Sequence, residues 1–314
     1  MVGRIIEVQT EGSYLCVDRG FLVVTRRGEE RGRVPLDDIA GLILNAHGLS
    51  HSSNLFTALA ERGCPVVFCS PHQRPVGLLW PVDSHHREAR RMDAQMAAKL
   101  PLRKRLWRQI VQLKIGMQAS ALALVDGPQA ALQRMSEKVT PGDAGNVEGQ
   151  AARVYWPALM GTAFRRNPET DGANAMLNYG YAIARAMVAR HLMAAGLHPG
   201  LPLHHANEGN PMRLVDDLME PFRPFVDVVV HQMLGLGWTE VDAKAKERLA
   251  LLPATSVPTG EGQSPLTLVC ERWCQSLAAV YLGERRELAF PEPNTALLRA
   301  ALEVGRRGRS SAVE

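Results

Sequence analysis

The sequence is poor in cysteine and has no long uninterrupted run of apolar residues. Its five cysteines in 314 residues are an odd number without the spacing of a disulfide framework, and a chain of this length does not need disulfides to fold. No stretch approaches the roughly 20 apolar residues of a membrane-spanning helix, and residues 1–8 lack the apolar core of a signal peptide. These absences predict a reduced, cytoplasmic protein that does not act at a membrane.

A strong excess of charge of either sign is also missing. The chain has 36 Lys and Arg against 32 Asp and Glu, a formal net charge of +4. So mild an excess allows a polyanionic partner without requiring one, because the distribution of charge matters more than its sum. With 46% hydrophobic and 22% charged residues, the composition is that of a folded globular protein with room for two ordinary domains.

The spacing of apolar residues changes along the chain from that of strands to that of helices. Up to residue 84, short apolar or β-branched runs alternate with turns, and one segment, 53–62, has helical spacing. Nine helices are predicted after that point, and the Pro-, Gly- and Ser-rich segment 254–265 is predicted to be an exposed loop. We therefore predict an α+β fold. It comprises a small β-rich, sandwich-like N-terminal domain (1–84), a larger all-helical C-terminal domain (85–304) and a disordered basic tail (305–314).

Two cysteines of the predicted last helix could share one face. Cys270 and Cys274 are four residues apart, which is compatible with zinc ligation. No other thiol and no suitable histidine is near them in sequence. Burial as small apolar side chains is therefore the favoured interpretation.

The carboxylate of Glu148 is predicted to lie in the first turn of a helix that Asp143 or Asn146 caps. Taken by itself, a glutamate at this position is explained by its favourable interaction with the helix dipole. However, Gly149 and Ala151 keep one side of this helix slim. A slim side allows another backbone to approach, which helps when a carboxylate must meet ligands from elsewhere in the chain.

Two adjacent histidines lie in the polar segment 203–210, between predicted helices. The side chains of His204 and His205 should point in different directions, so at most one of them faces a given site. In isolation, the segment is typical of a polar surface loop.

An acidic segment follows at residues 216–224. Asp217 and Glu220 are three residues apart, so a helical turn would place both carboxylates on one face, where they repel unless a cation or an arginine lies between them. Neighbouring apolar residues, such as Leu218 and Phe222, indicate partial burial. Partly buried paired carboxylates need compensation, which a divalent metal can supply. A solvated acidic turn is the alternative.

Together, these segments resemble the spacer-integration endonucleases of CRISPR systems, most closely the branch found with type II systems. The resemblance is carried by the Glu-Gly-x-Ala-Ala-x-x-Tyr-Trp run from Glu148, by Asn178-Tyr179-Gly180-Tyr181-Ala182, by His205-Ala206-Asn207 and by the acidic run from Asp216 to Pro224. It covers nearly the whole chain and implies a metal-dependent DNA endonuclease and integrase. Such an enzyme inserts spacer DNA into a CRISPR array by attack of a DNA 3′-hydroxyl on a phosphodiester.

The resemblance also implies which residues hold the metal. Carried over residue by residue, the catalytic ligands of Mg²⁺ or Mn²⁺ fall on Glu148, His205 and Glu220. His205 is preferred to His204 because the family's histidine precedes an x-Asn pair. Two carboxylates and one imidazole leave several positions of an octahedral cation open to water and phosphate oxygens. The residues predicted to support the site or to position the substrate are Asp217, Asn207 and Tyr155.

Basic residues cluster between residues 87 and 108, where eight Lys or Arg stand against two acidic residues. Such a cluster can follow DNA phosphates and would make affinity fall steeply with salt, whereas a solvated helix face explains it equally well. The predicted DNA-binding residues are Arg87, Arg90, Arg91, Lys99, Arg103, Lys104, Arg105, Arg108, Arg165, Arg166 and Arg223, with Arg185 as an additional candidate.

The resemblance further implies the partners. They are double-stranded DNA (the spacer precursor and the CRISPR repeat), a second copy of the chain, and a small ferredoxin-like CRISPR protein that bridges two homodimers into a heterohexamer. The effector nuclease would assist in choosing spacers. Two alternatives stay open: a non-catalytic DNA-binding scaffold, and an unrelated metal-dependent phosphoesterase acting on small substrates. The basic cluster argues against the second, since small substrates do not require it.

Overall fold

The chain folds into a strand-rich N-terminal part followed by a mainly helical part. The computed structural model describes residues 4–64, 66–69, 75–79, 81, 88–260 and 262–303. The strands are β1 (Arg4–Val8), β2 (Ser13–Asp18), β3 (Phe21–Arg26), β4 (Glu29–Pro35), β5 (Ile39–Leu44), β6 (Ser50–His51), β7 (Val66–Cys69), β8 (Pro75–Leu79), β9 (Ser256–Thr259) and β10 (Gly262–Pro265). The helices are α1 (Ser53–Glu61), α2 (Glu88–Met96), α3 (Leu100–Ala123), α4 (Gln129–Glu137), α5 (Val147–Met160), α6 (Ala173–Ala194), α7 (Arg213–Leu218), α8 (Arg223–Gly235), α9 (Ala243–Ala250), α10 (Leu266–Tyr281) and α11 (Thr295–Glu303).

Two four-stranded sheets form the N-terminal part. The first has the order β1-β5-β7-β8, with β8 antiparallel to an otherwise parallel group, and the second has the order β4-β3-β2-β6. Their inner faces share one apolar core with α1, to which Leu15, Leu42 and Leu55 contribute fully buried side chains. Burial of both inner faces around one core explains the alternating apolar residues of these strands. The predicted sandwich-like arrangement and α+β class are confirmed.

Helices α3 and α6 form the centre of the larger core. Each is buried on most of its circumference, and Ile43 of β5 and Val67 of β7 belong to the same core, so the first sheet also packs against the helices. Gly180 lets α6 approach α8 closely, because a Cβ at this position would lie 2.3 Å from Cγ1 of Val226. None of the described helices is both long enough and apolar enough to cross a membrane.

Some elements differ from the sequence prediction. The segment predicted as an exposed loop contains the antiparallel hairpin β9–β10, in which Val257 is fully buried. Strands this short carry too little alternation to be recognised. Strand β4 was not predicted because it is a sheet edge whose mostly exposed residues are charged. The predicted boundary at residue 84 and the predicted tail, 305–314, lie outside the described residues.

The five cysteines, all among the described residues, form no disulfide. Cys270 and Cys274 are fully buried in α10, and burial raises the pKa of the Cys270 thiol well above its ordinary value. The structure thus confirms the predicted burial of this pair.

Candidate active site

The helix α5 holds Glu148 in its first turn. Oδ1 and Oδ2 of Asp143 accept hydrogen bonds from the backbone N–H groups of Val147 (2.9 Å) and Glu148 (3.0 Å), and Oδ1 of Asn146 accepts one from Gly149 (3.1 Å). Both predicted caps are therefore present. A Cβ at Gly149 would lie 2.6 Å from Oδ1 of Asn146, so the slim side of the helix serves its cap.

Glu148 and Glu220 converge on one cation, the ammonium of Lys114 in α3. Nζ of Lys114 contacts Oε1 of Glu148 and lies 2.5 Å from Oε2 of Glu220. Glu220 is almost completely buried, and its Oε1 accepts a hydrogen bond of 2.9 Å from Nε of Arg223. Two of the three predicted ligands, far apart in sequence, thus meet at one point, although sequence reasoning did not anticipate the lysine between them.

Opposite charges keep this cluster ionised. Burial by itself would raise the pKa of Glu220, but Arg223 and Lys114 lower it below its ordinary value. Burial would likewise lower the pKa of Lys114, but Glu220 and Glu148 raise it. Glu220, Lys114 and Arg223 therefore remain charged at neutral pH.

A buried aspartate orients His205 beside this cluster. Asp217 has no exposed surface, and its carboxylate accepts hydrogen bonds from the backbone N–H of Leu203 (2.6 Å) and from Nδ1 of His205 (2.6 Å). The hydrogen bond that His205 donates to Asp217 raises the pKa of His205, and the nearby charges of Glu220 and Glu148 add to this effect. Since Nδ1 is engaged, Nε2 is the ring nitrogen that can act as a ligand.

Asp217 and Glu220, both in the segment 216–224, face different partners. Helix α7 ends at Leu218, and the 3-10 turn Glu220–Phe222 follows. The helical turn that would have placed both carboxylates on one face is therefore interrupted. Asp217 is compensated by backbone N–H groups and His205, whereas Glu220 is compensated by Lys114 and Arg223. The predicted cation between Asp217 and Glu220 is replaced by these separate partners.

The neighbouring histidine packs on a buried tryptophan. His204 is exposed and stacks on Trp107, with 4.4 Å between ring centroids and 2° between ring planes. The ring of His205 contacts the same Trp107 edge-on, at 5.5 Å, and is nearly perpendicular to that of His204, at 79°. Of the two histidines, His205 is the one whose ring Asp217 holds.

The donor types suit a divalent cation, but they are not arranged as a ready ligand set. No group of three or more His, Cys, Asp or Glu side chains stands in metal-binding positions within the part of the chain that the structure describes. The ammonium of Lys114 takes the point where the carboxylates meet. Oε2 of Glu220 is buried and receives no hydrogen bond of normal geometry, which leaves this oxygen suited to a cation. Two carboxylates and an imidazole nitrogen are ligands that Mg²⁺ and Mn²⁺ accept.

A second buried carboxylate, Asp227, lies behind the cluster. It accepts hydrogen bonds from the hydroxyls of Tyr155 (2.8 Å) and Tyr181 (2.5 Å), and burial raises its pKa to about 6. The guanidinium of Arg223 lies 4.6 Å from the ring centroid of Tyr181, which connects this group to Glu220. Tyr155 therefore supports the site through Asp227. Asp227 was not predicted as a site residue, and the one indication in the sequence was an acidic residue within an apolar helical run.

The predicted site residue Asn207 forms a hydrogen bond within its own loop. Its Oδ1 accepts a hydrogen bond of 3.0 Å from the backbone N–H of Gly209 in the same exposed loop. A cavity of ≈ 370 Å³ beside His205 is also lined by Tyr181, Arg185 and Arg223.

The predicted DNA-binding residues fall into two groups. The exposed ones are Arg90, Lys99, Lys104, Arg105, Arg108 and Arg165. Lys104, Arg105 and Arg108, here called the α3 basic face, share the exposed side of α3. The partly buried ones engage protein groups or lie among them: Arg91 (Ala195 carbonyl), Arg103, Arg166 (Asn174 and Asn178), Arg185 (Asp216) and Arg223 (Glu220). Arg87 lies outside the described residues.

Comparison with known proteins identifies the family. The sequence profile of the family described as CRISPR associated protein Cas1 matches residues 6–252, well over half of the chain. The CRISPR-associated endonuclease Cas1 of Neisseria meningitidis serogroup C (strain 8013) is 38% identical over 239 residues, which are 76% of this chain and 78% of that one.

Two solved structures share the fold. A casposase bound to integration product matches with a TM-score of 0.79 at 17% identity, and the match covers 93% of this chain and 94% of the casposase chain. A Cas6-RT-Cas1–Cas2 complex has a TM-score of 0.75 at 16% identity, over 92% of this chain and 36% of its own. The family resemblance and the class of enzyme that it implied are thereby confirmed: with this profile, this relative and this fold, the chain belongs to the CRISPR-associated Cas1 family.

Proposed function

We propose that this Cas1-family chain is a DNA endonuclease and integrase that inserts spacer DNA into a CRISPR array, and that Glu148, His205 and Glu220 hold its Mg²⁺ or Mn²⁺. The observation that carries the proposal is the meeting of Glu148 and Glu220 at one point, beside an imidazole oriented by Asp217. Residues this far apart in sequence, with buried charge, are rarely brought together without a functional reason.

The chain's own residues prepare the site for phosphate chemistry. Asp217 holds His205 with Nε2 available, and Arg223 keeps the buried Glu220 ionised. A divalent cation bound there supplies a Lewis acid that polarises a phosphodiester and stabilises the charge of in-line displacement. Lys104, Arg105 and Arg108 give the DNA backbone a track on α3. These roles together support exchange of one phosphodiester bond for another.

Partners follow from the same function. The related structures are a casposase with its integration product and a complex that contains Cas1 and Cas2. By analogy, we propose double-stranded DNA as the substrate and a Cas2-type protein as the partner. The homodimer, the ferredoxin-like bridge that joins two dimers into a heterohexamer, the help of an effector nuclease and the cytoplasmic location remain predictions from the sequence.

An integration assay with Glu148→Ala tests the proposal. With Mn²⁺ and a labelled spacer precursor, the variant should lose strand joining but keep DNA binding and thermal stability, because the change removes a partly exposed ligand rather than core volume. Glu137→Ala, an exposed change in α4, is the matched control and should join like the parent.

The same assay separates the alternatives. Joining by the Glu148→Ala variant at the parent's rate would refute the assignment of Glu148. A non-catalytic scaffold would bind branched DNA with or without Mn²⁺ and never join ends, even as the parent. An unrelated phosphoesterase would cleave small substrates without salt-sensitive DNA binding.

A further inference from the structure

Lys114 occupies the place between the two carboxylates that are proposed to hold the metal. It lies in α3 near Val111 and Ile115, which are both fully buried. The side chain of Lys114 is only 13% exposed. A lysine at such a position must be compensated, and its compensation comes from Glu148 of α5 and Glu220 of the 3-10 turn. One ammonium thus neutralises two carboxylates from two separate elements.

A divalent cation and this ammonium cannot occupy the same point. Mg²⁺ binds carboxylate oxygens at about 2.0–2.1 Å, and two cations sharing the same oxygens repel strongly in a buried site. Lysine is a compact charge on a flexible four-carbon stem, so the ammonium can leave without movement of the backbone of α3. Glu220 would still be paired with Arg223 through its other oxygen.

We propose that Lys114 is a tethered stand-in cation, which holds Glu148 and Glu220 together while no metal is bound and is displaced when the metal binds. The inference rests on the proposed function, because it requires the metal that these carboxylates would hold. Without Lys114, the metal-free carboxylates would repel each other in a buried place. After displacement, the ammonium stays within a side-chain length of the site, where phosphate oxygens of bound DNA offer it a new partner. Lys114 is therefore a positioning residue, and binding of the metal exchanges its ammonium for the divalent cation.

Calorimetric titration with MnCl₂, without DNA, tests the exchange. Lys114→Met removes the competing charge and keeps much of the side-chain volume. Its affinity for Mn²⁺ should rise at least about tenfold, because the parent's apparent affinity is reduced by the fraction of molecules whose site is open to metal. Without metal, the variant should melt at a lower temperature than the parent, and saturating Mn²⁺ should raise its melting temperature by more.

Matched variants separate the possible outcomes. Lys138→Met, an exposed change at the end of α4, should leave both measurements unchanged. Mn²⁺ binding by the parent that is lost in Glu148→Ala but equal or weaker in Lys114→Met would overturn the role of Lys114 and leave the metal site standing. Absence of Mn²⁺ binding in the parent and in Lys114→Met would overturn both this inference and the metal-dependent function.

A chemical measurement on the unmodified chain covers the case in which Lys114→Met does not fold. Reductive methylation with formaldehyde, followed by peptide mass spectrometry, reports how accessible each lysine amine is. Lys114 should be protected without metal and become several-fold more reactive at saturating Mg²⁺, while the exposed Lys99 and Lys244 change little. Protection of Lys114 that is the same with and without Mg²⁺ would refute displacement.

Discussion

Asp217 determines which nitrogen of His205 faces the site, and Asp217→Asn tests this role with almost no change of shape. The carboxylate accepts four hydrogen bonds, from the backbone N–H groups of Leu203, His204 and His205 and from Nδ1 of His205. An asparagine has only one acceptor oxygen for these four donors. One of its two orientations therefore points an N–H at the backbone, and the other points it at the imidazole.

Either orientation weakens the site. With the amide N–H toward the imidazole, Nδ1 must accept, so the proton moves to Nε2 and blocks the nitrogen that would bind the metal. With the N–H toward the backbone of Leu203, two donors face each other where the parent has a hydrogen bond of 2.6 Å. We expect metal affinity to fall about 10–100-fold, as for other outer partners of a ligating histidine. The free energy of unfolding should fall by about 1–3 kcal/mol, the cost of unsatisfied buried donors.

The assays are Mn²⁺ calorimetry, urea unfolding and strand joining, each on the parent, on Asp217→Asn and on Asp216→Asn. The last variant weakens the ion pair with Arg185, whose distance is 2.6 Å, without touching the hydrogen bonds of Asp217. It should bind Mn²⁺ like the parent. An Asp217→Asn protein that bound Mn²⁺ as tightly as the parent and joined DNA at the same rate would refute this account of His205.

Three other measurements follow from the charges and packing. Arg108→Gln should reduce the slope of log Kd against log salt for DNA by about one unit, measured by filter binding, and an unchanged slope would remove this residue from the DNA path. Burial raises the folded pKa of Asp227 from 3.8 to about 6, so its contribution to stability is full below about pH 4 and is lost as the pH rises through about 6. The free energy of unfolding, measured by urea titration at several pH values, should therefore fall between pH 4 and 6 by up to about 3 kcal/mol less in Asp227→Asn than in the parent. Parallel pH profiles of the two proteins would contradict this. Gly180→Ala places a Cβ 2.3 Å from Val226 and should cost about 1–3 kcal/mol of unfolding free energy, whereas Gly235→Ala, with open space around it, should cost far less.

Local features of the site could be predicted from sequence because they depend on neighbours in the chain. The cap of α5 is an example, since Asp143 and Asn146 bond to N–H groups within the next few residues. Spacing alone misled at residues 216–224, where it implied a continuous turn. Pro221 follows Glu220 directly, and the helix ends before it, so Asp217 and Glu220 turn to different partners.

Long-range contacts are what the sequence could not supply. Lys114 has an ordinary place in a helical pattern, and only packing of α3 against α5 and the 3-10 turn brings it to Glu148 and Glu220. Arg223 was predicted to bind DNA because of its charge, yet the structure pairs it with the buried Glu220. The metal ligands were predicted from the family resemblance, because motifs shared by a family mark residues that meet in the fold. Their role as ligands remains a prediction.

The cluster at Lys114 is assembled from four stretches of chain that have no local reason to be near one another: the middle of α3, the start of α5, the loop with His205, and the turn at Glu220. No fragment that lacks one of these stretches can contain it. The amides of its buried helical stretches should therefore exchange hydrogen through unfolding of the helical core, since that core holds them in place. A substitution on the buried side of α3 can abolish activity by disturbing the assembly, so inactive variants there require a measurement of folding before their defect is assigned to chemistry.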